Sequence, residues 1–418
     1  MTTESINSIA DFPEDLLVKI FDLLQSQSDV VRCKAVCKRW FSLISSPHFI
    51  HHSIHRHHHN NQIRSSFTFL VQPPHHRHKT TLFNTNFESK SKQQTHVVVV
   101  AYFNDLILCC ETLFYQSVYY LCNPLTNQLF SLPPPPRRSR RDEEIKVGLI
   151  CYPSPCNQTR QCFSTTNAEY TFKVVRIPRF VGSRKSFHVE IFCSETGEWS
   201  KSIVSSPDRR VSFFHRSDHM VPYKGILHWI DEDGEAIVAY DPLNDPKRCR
   251  IIDSPLYNGR DYVTVERLGV SGGRLRVLQF VNLFPFRQCL GSKLCVWEME
   301  DYYSGKWGSP EDQVCLNEVV VPEEEEESCL AELMKGFQHR VSLLGLHPYD
   351  TDVVYLGLSG LVVICNVSTQ TLRELCKADQ LGMFGHGSRI GSVIPLVHPW
   401  WPTPVPPLPK SIEREMLQ

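Results

Sequence analysis

Apolar residues near the start of the chain repeat at the spacing of one helix face. The residues of this first run are Leu16, Leu17, Ile20, Phe21 and Leu24. Asp11 stands at the position of an N-cap, just before Pro13 and an acidic first turn, and this order is typical of a helix N-terminus. The pattern therefore predicts an amphipathic helix that begins after Asp11.

Two further short helices are predicted before residue 50. Ser28 and Asp29 are placed to cap the second helix, and helical spacing continues until Pro47, because proline cannot continue a helix. The apolar residues in this part are Val31, Val36, Trp40, Leu43 and Ile44. A unit of three short helices buries too little apolar surface to be stable without support. We therefore expect this unit to bind a partner through part of its apolar stripe.

From residue 66 the pattern changes to short apolar runs that are typical of β-strands. These runs occupy residues 67–71, 80–83, 96–103, 106–110, 118–122, 172–177 and 188–193. The next segment with a capped helical pattern is 331–338. The chain is thus predicted to consist of a small all-α unit followed by a large all-β domain.

The β region contains a recurring unit in which an apolar strand leads into a polar turn and then into a second strand. Five copies occupy residues 118–133, 189–202, 237–253, 294–309 and 362–375. Trp199 and Trp307 each follow a turn glycine by two residues, so we expect them to pack an outer strand onto its neighbour. Each copy is predicted to be a hairpin.

The repeated hairpins favour a β-propeller, a radial array of four-stranded sheets that leaves few exposed strand edges. The copies are spaced more widely than the roughly 40 to 50 residues of one blade, which predicts insertions such as residues 133–144 and 322–328. Five repeats and the weaker strands within residues 67–83 predict six or seven blades. A pair of β-sandwiches is the structural alternative.

Composition narrows the class of partner and the location. Lys and Arg number 44 against 45 Asp and Glu, so the chain has no basic excess with which to bind nucleic acid. Sixteen cysteines occur without CxxC pairs, and residues 1–10 carry no export signal, which favours reduced thiols and the cytoplasm and/or nucleus. No apolar run has the length of a membrane-spanning helix, and no membrane contact is expected.

Motifs that carry chemistry are missing from the sequence. It has no phosphate-binding loop, zinc-binding HExxH helix, nucleophile elbow or dinucleotide fingerprint, and we expect no catalytic residue and no cofactor. The His-rich residues 51–65 lack the defined ligand spacing of a zinc site, so we interpret them as a linker and expect no metal. Residues 176–188 mix Arg and Lys with Phe180 and Phe187, and we interpret them as a loop rather than a grip for an acidic partner.

The segments FPEDLL, IFDLL, VRCKAVCKRW and SLISSPHF, in this order within residues 12–49, resemble the F-box of cullin-type ubiquitin ligases. The resemblance implies docking on a Skp-family adaptor and, through it, on a cullin. It also implies that a set of nine residues makes or supports the contact, and Leu17 and Phe21 are the first choice for direct contact. The nine are Pro13, Leu16, Leu17, Ile20, Phe21, Leu24, Val36, Cys37 and Trp40.

Residues 66–398 resemble the Kelch-like F-box-associated domain of plant-type F-box proteins, through YLCNPLTNQLFSLPPPP, VEIFCSETGEWS and LCVWEMEDYYSGKW. Together the resemblances imply a non-catalytic substrate-recognition subunit whose propeller binds an unknown target protein for ubiquitination. The predicted order is a disordered segment 1–10, an F-box 11–50, a linker 51–65, a propeller 66–398 and a Pro-rich tail 399–418. The alternatives are a scaffold that binds the adaptor without degradation, and a propeller that binds sugar or acts as an enzyme.

Overall fold

A computed structural model gives the arrangement of most of the chain. The residues that it describes are 12–24, 27–46, 49, 67–72, 98–111, 116–126, 128–136, 145–153, 170–213, 219–231, 234–255, 262–282, 293–308, 312–316, 318–322, 328–335, 341–377, 392–397, 403 and 405. Asp11, the whole His-rich segment 51–65 and Trp400 and Trp401 of the tail lie outside these residues.

The predicted three-helix unit is present. It consists of α1 (Glu14–Asp22), α2 (Gln27–Cys33) and α3 (Lys38–Ile44). The cap position of α1 is held by Pro13, which makes no side-chain cap bond. The predicted cap at Ser28 and Asp29 is wrong, because α2 begins at Gln27 and both residues lie in its first turn.

The remaining described residues form an all-β domain of 23 strands with one short helix, α4 (Cys329–Met334). Blade one contains β2 (Val98–Phe103), β3 (Leu106–Cys110), β4 (Tyr119–Asn123) and β5 (Gln128–Ser131). Blade two contains β6 (Ile145–Pro153), β7 (Tyr170–Pro178), β8 (Ser186–Cys193) and β9 (Glu198–Ser205). Blade three contains β10 (Val221–Tyr223), β11 (Ile226–Ile230), β12 (Ala236–Tyr240) and β13 (Cys249–Asp253).

The last two blades follow the same antiparallel order. Blade four contains β14 (Tyr262–Ser271), β15 (Arg274–Asn282), β16 (Lys293–Asp301) and β17 (Lys306–Trp307), with β18 (Asp312–Cys315) also paired to β16. Blade five contains β19 (Val341–Leu346), β20 (Val353–Leu358), β21 (Leu361–Asn366) and β22 (Thr371–Lys377). Outside the blades, β1 (Phe67–Gln72) pairs antiparallel with β23 (Ser392–Val397).

The blades are arranged radially. The first strand of each blade contacts the first strand of the next, from β2 through β6, β10 and β14 to β19. Strand β23 contacts both β19 and β2, so the two-stranded sheet lies between the last blade and the first. The propeller prediction is confirmed, and the alternative of two β-sandwiches is not what the chain forms.

The prediction of six or seven blades is wrong. In the described part of the chain there are five blades, of which four have four strands and blade four has a fifth strand, β18. The weak strand near residue 67, which the prediction counted toward a further blade, is β1, and it pairs with β23 from the other end of the chain. Strand β1 therefore belongs to none of the blades.

The polar turns between the third and fourth strands repeat for a physical reason. In four blades an Asn or Asp at the end of the third strand accepts a backbone N–H from the turn at 2.9 to 3.0 Å. These residues are Asn123, Asp241, Asp301 and Asn366. An Asx turn of this kind fixes the chain reversal locally, which explains why the sequence repeat is visible.

Apolar cores lie between neighbouring blades and join them. Leu121 of blade one and Phe172 of blade two, for example, are buried in one cluster, and similar clusters connect the later blades. The two repeat tryptophans add polar links. Trp199 Nε1 donates to Pro133 O and Trp307 Nε1 donates to Asp253 O, each at 2.8 Å, so each tryptophan ties its blade to the preceding one.

Candidate protein-interaction surface of the helical module

The three helices and Phe49, which we call the helical module, enclose a small core. Its buried residues are Leu17, Phe21, Val30, Ile44 and Phe49. Phe21 makes edge-to-face contacts with Trp40 and Phe49, with ring centroids 5.0 and 5.9 Å apart. Aromatic rings pack favourably in this geometry. Phe21 therefore packs α1 against both α3 and Phe49.

The first choices for direct partner contact lie inside this core. Leu17 is 0% exposed and Phe21 is 1% exposed. The cause is helix geometry, since these two residues lie on the side of α1 that faces α2 and α3. In this structure their side chains support the core of the module.

Cys37 has a structural role that the sequence pattern did not reveal. Its backbone is extended, and its Sγ accepts the backbone N–H of Trp40 at 3.4 Å. Cys37 is thus the N-cap of α3, in a position that Ser, Thr, Asp or Asn usually occupies. A further bond from Arg39 Nη2 to Phe12 O, at 2.8 Å, ties α3 to the residue that precedes α1.

Large apolar side chains remain exposed on the helical module. Leu16 is 45% exposed and Val36 is 60% exposed, and both were among the predicted contact residues. Leu23 and Phe41 are 76% and 56% exposed, and the sequence analysis missed them. Leu23 follows Leu16 by seven residues, so both lie on one side of the helix. This spacing was the signal that could have identified Leu23.

Of the remaining five predicted contact residues, one is exposed and four are half-buried. Pro13 is exposed. Ile20, Leu24, Cys37 and Trp40 are half-buried, and of these Leu24 and Trp40 pack against the core. Partner contact by the nine residues stays a prediction.

Two ionisable side chains of the helical module, Lys34 and Cys33, have shifted pKa values. The Lys34 ammonium lies 6.0 Å from the centre of the Phe41 ring, and partial burial lowers the Lys34 pKa. Burial, with a smaller effect of Asp29, raises the pKa of the Cys33 thiol, so this thiol is not activated as a nucleophile. The surface of Leu16, Leu23, Val36 and Phe41 therefore offers hydrophobic contact rather than chemistry. We call these four residues the apolar surface.

Comparison with known families agrees with this division of the chain. Residues 9–57 match the F-box-like family. Residues 77–386 match the family described as F-box protein At3g26010-like, beta-propeller, which covers most of the chain. The protein is thus an F-box protein that carries a β-propeller. It belongs to the At3g26010-like family of F-box propeller proteins.

Relatives in Arabidopsis thaliana are also named as F-box proteins. F-box protein At5g49610 is 26% identical, over 71% of this chain and 77% of its own. At1g15680, which is named for an F-box and kelch repeats, is 24% identical, over 83% of this chain and 79% of its own. Among solved structures, the Malassezia sympodialis allergen Mala s 1 is 10% identical and covers 70% of this chain and 89% of its own, at a TM-score of 0.30, which is too low to bear on the fold.

No helix in the described residues combines the length and the apolar composition needed to cross a membrane.

Proposed function

We propose that this protein is the substrate-recognition subunit of a Skp-cullin-F-box ubiquitin ligase. The helical module docks on a Skp-family adaptor, which connects it to a cullin, and the propeller binds a target protein. The observation that carries the proposal is the apolar surface of Leu16, Leu23, Val36 and Phe41 on a module of the F-box-like family. We also propose that the protein acts in the cytoplasm and/or nucleus.

The apolar surface suits a permanent partner. Burying a large apolar side chain contributes about 1.5 to 3 kcal/mol, and a few such side chains at the centre of an interface supply most of its affinity. Because the core is closed by other residues, such as Leu17 and Phe21, these four side chains are free to contact a partner without disturbing the module.

The proposed mechanism is proximity. A ligase subunit that holds a target beside the conjugating enzyme raises the effective concentration of the target's lysines. This chain makes or breaks no bond in that mechanism. It is a non-catalytic subunit, and its contribution is the choice of target.

A binding titration with a purified Skp-family adaptor tests the docking step. The full chain should bind, and Val36→Asp should weaken binding at least about tenfold, because a charge would then be buried in the interface. The matched control is Val181→Asp, since Val181 is also exposed, at 79%, but lies on the propeller. Circular dichroism checks that both variants fold. Absence of binding by the folded wild-type chain would overturn the proposal.

Depletion of the protein in cells separates a ligase subunit from a scaffold. If the propeller selects targets for degradation, at least one protein captured with the propeller should accumulate when this chain is depleted. The same protein should accumulate in cells that express only the Val36→Asp variant. Captured proteins whose levels do not change would favour the scaffold.

A further inference from the structure

A cluster of aromatic and basic side chains lies where blades three and four meet. We call it the tyrosine patch, and it consists of Tyr223, Lys224, Arg250, Tyr302 and Tyr303. The Lys224 ammonium lies 5.5, 5.4 and 5.3 Å from the ring centres of Tyr223, Tyr302 and Tyr303. The Arg250 guanidinium lies 5.5 Å from the ring centre of Tyr302, and its Nη2 donates to Tyr303 O at 2.8 Å.

The patch is open to solvent at the rim of the propeller. Tyr303 is 79% exposed and Lys224 is exposed. Lys224 lies in the turn between the first and second strands of blade three, and Tyr302 and Tyr303 lie in the turn between the third and fourth strands of blade four. In an antiparallel meander these two turns lie at the same end of a blade, so the patch is on one face of the ring.

The backbone at Lys224 has a left-handed conformation. Lys224 has φ 51° in a two-residue hairpin loop with Gly225, a left-handed conformation that favours Asn and Gly. Other two-residue hairpin loops of the propeller begin with Asn104, Gly272 and Ser359, at φ 51°, 57° and 41°. Blade three therefore has a lysine where the turn itself prefers other residues, and residues kept in such conformations cluster at functional sites.

The buried side of the patch is fixed. Tyr302 is 6% exposed, and its hydroxyl lies 2.8 Å from His228 Nε2. His228 Nδ1 lies 3.3 Å from Val221 O, so Nδ1 donates to this carbonyl and Nε2 accepts the Tyr302 hydroxyl proton. This hydrogen-bond chain holds the Tyr302 ring in place, and a rigid platform lowers the entropy cost of binding.

The two cations of the patch keep their capacity to pair. Within the described residues, neither Lys224 nor Arg250 forms an ion pair with a carboxylate. Asp301 interacts electrostatically with Arg250 without a direct ion pair, and its Oδ1 accepts the backbone N–H of Tyr303 at 3.0 Å within the turn. A lysine and an arginine beside exposed tyrosines are well suited to carboxylates, because charge-assisted hydrogen bonds to ionised oxygens are strong and Tyr and Arg are enriched at binding hot spots.

We propose that the tyrosine patch is the docking surface for an acidic segment, rich in Asp or Glu, of a protein that the propeller binds. The proposal rests on the proposed role of the propeller as the target-binding domain. In this arrangement Lys224 and Arg250 pair with the carboxylates, and the exposed Tyr303 ring contacts the adjoining side chains of the segment. The same rings that now surround the Lys224 ammonium also hold it at the surface for this contact.

Fluorescence anisotropy on the full chain tests the proposal. The probe is a labelled short peptide in which Glu alternates with Ser, compared with the same peptide carrying Gln in place of Glu. We expect the Glu peptide to bind at least about tenfold more tightly at low salt, and its binding to weaken as salt is added.

Two variants test whether the Glu peptide binds at the tyrosine patch. Lys224→Asn removes the charge and places a residue that favours the left-handed turn, and Arg250→Gln removes the guanidinium. Each should weaken binding of the Glu peptide about five- to tenfold. Lys201→Asn is the matched control, since Lys201 is exposed on blade two, and it should have no effect.

Adaptor binding, measured on the same preparations, distinguishes failure of the peptide-docking proposal from failure of the adaptor-binding proposal. The patch variants should bind the adaptor like wild type, because the helical module is unchanged. Equal binding of the Glu and Gln peptides by wild type would overturn the docking proposal, as would equal loss in Lys201→Asn and the patch variants. Either result would leave the adaptor assignment untouched.

Discussion

The helical module leaves large apolar side chains at its surface, whereas the propeller encloses charged side chains in its interior. Leu23 and Val36 of the module are 76% and 60% exposed. In the propeller, Arg176 is 1% exposed and forms an ion pair with Glu190, which is 3% exposed. Globular proteins usually bury large apolar side chains and expose charged ones. The module departs from this rule by exposing apolar side chains, and the propeller departs from it by burying charged ones.

Size explains the difference. The module is too small to bury all its apolar residues, which is consistent with the partner binding that we propose for it. The propeller has large apolar cores between its blades, and these can include polar groups whose bonds fix how blades meet. Arg176 of blade two donates through Nε to the Tyr119 hydroxyl of blade one at 2.7 Å, and that hydroxyl donates to Gln116 Oε1 at 2.8 Å. In the propeller, buried polar contacts fix how neighbouring blades meet. In the module, the exposed apolar side chains are the ones for which we propose partner contact.

The position of Arg176 removes one residue from the possible acidic-partner site at residues 176–188. Arg176 is not available to an acidic partner, because it is buried within the network between blades one and two. Residues 179–185 connect β7 to β8, as the loop interpretation predicted, whereas residues 177–178 belong to β7 and residues 186–188 belong to β8.

The largest effect is expected when Glu190 is removed. Glu190→Ala leaves the Arg176 guanidinium buried without its carboxylate, and breaking a buried ion pair in this way costs about 3 to 5 kcal/mol. Urea unfolding followed by tryptophan fluorescence measures the loss in the free energy of unfolding. Adaptor binding should be unchanged, because the network lies in the propeller.

The double variant Arg176→Met, Glu190→Leu is the control. Apolar replacement of both members of a buried pair is often close to neutral, so most of the lost stability should return. A Glu190→Ala variant as stable as wild type would show that the network does not hold the blades together.

The next largest effect compares two adjacent leucines of the module. Leu17→Ala should destabilise the module by about 2 to 5 kcal/mol, because Leu17 is fully buried and truncation leaves a cavity. Leu16→Ala should change stability by about 0.5 kcal/mol or less, since Leu16 is 45% exposed. Amide hydrogen exchange across α1 to α3 measures both changes.

Adaptor affinity separates the same pair of variants. Leu16→Ala should weaken adaptor binding without loss of helix protection, whereas Leu17→Ala should weaken binding only through loss of the fold. If both variants lose protection equally, the assignment of Leu17 to the core and Leu16 to the surface is wrong.

A third prediction concerns the pH dependence of propeller stability. Burial lowers the pKa of His228 from 6.5 to about 4. Between these values the unfolded chain binds the proton and the folded chain does not, so stability that is present above pH 6.5 is lost as the pH falls toward 4. The full difference is about 3 kcal/mol. His228→Gln should remove this part of the pH slope in urea unfolding, and an unchanged slope would contradict the prediction.

Periodicity along the sequence predicted the elements whose determinants are local. The helices of the module follow from apolar spacing, and the hairpins follow from Asx turns such as that of Asp241, whose side chain bonds its own turn at 2.9 Å. The β3 strand (Leu106–Cys110) was predicted to the residue. These features need no information from distant parts of the chain.

Features that depend on distant contacts were predicted poorly. The number of blades is set by the pairing of β1 with β23, and no local pattern shows that the two ends of the chain meet. Leu16 and Leu17 both belong to the apolar stripe, and only the packing of Phe21 and Val30 decides which one is buried. The tyrosine patch joins turns of two blades, so its residues could not be grouped from the sequence.

The smallest effect concerns the cap of α3. Cys37 Sγ accepts the Trp40 N–H at 3.4 Å, and sulfur is a weak acceptor. Cys37→Ser should stabilise α3 by about 0.5 to 1 kcal/mol, and Cys37→Ala should destabilise it by a similar amount, because serine is a preferred N-cap and alanine is not.

Amide exchange at Trp40 reads this cap directly, since its N–H is the donor. It should slow by about two- to fivefold in the serine variant and accelerate by a similar factor in the alanine variant. Exchange at Phe21, in α1, should change less, because the cap lies on another helix. If Trp40 exchanges alike in all three proteins, the cysteine is no cap, and the start of α3 is set by packing of the Trp40 ring against Phe21 alone.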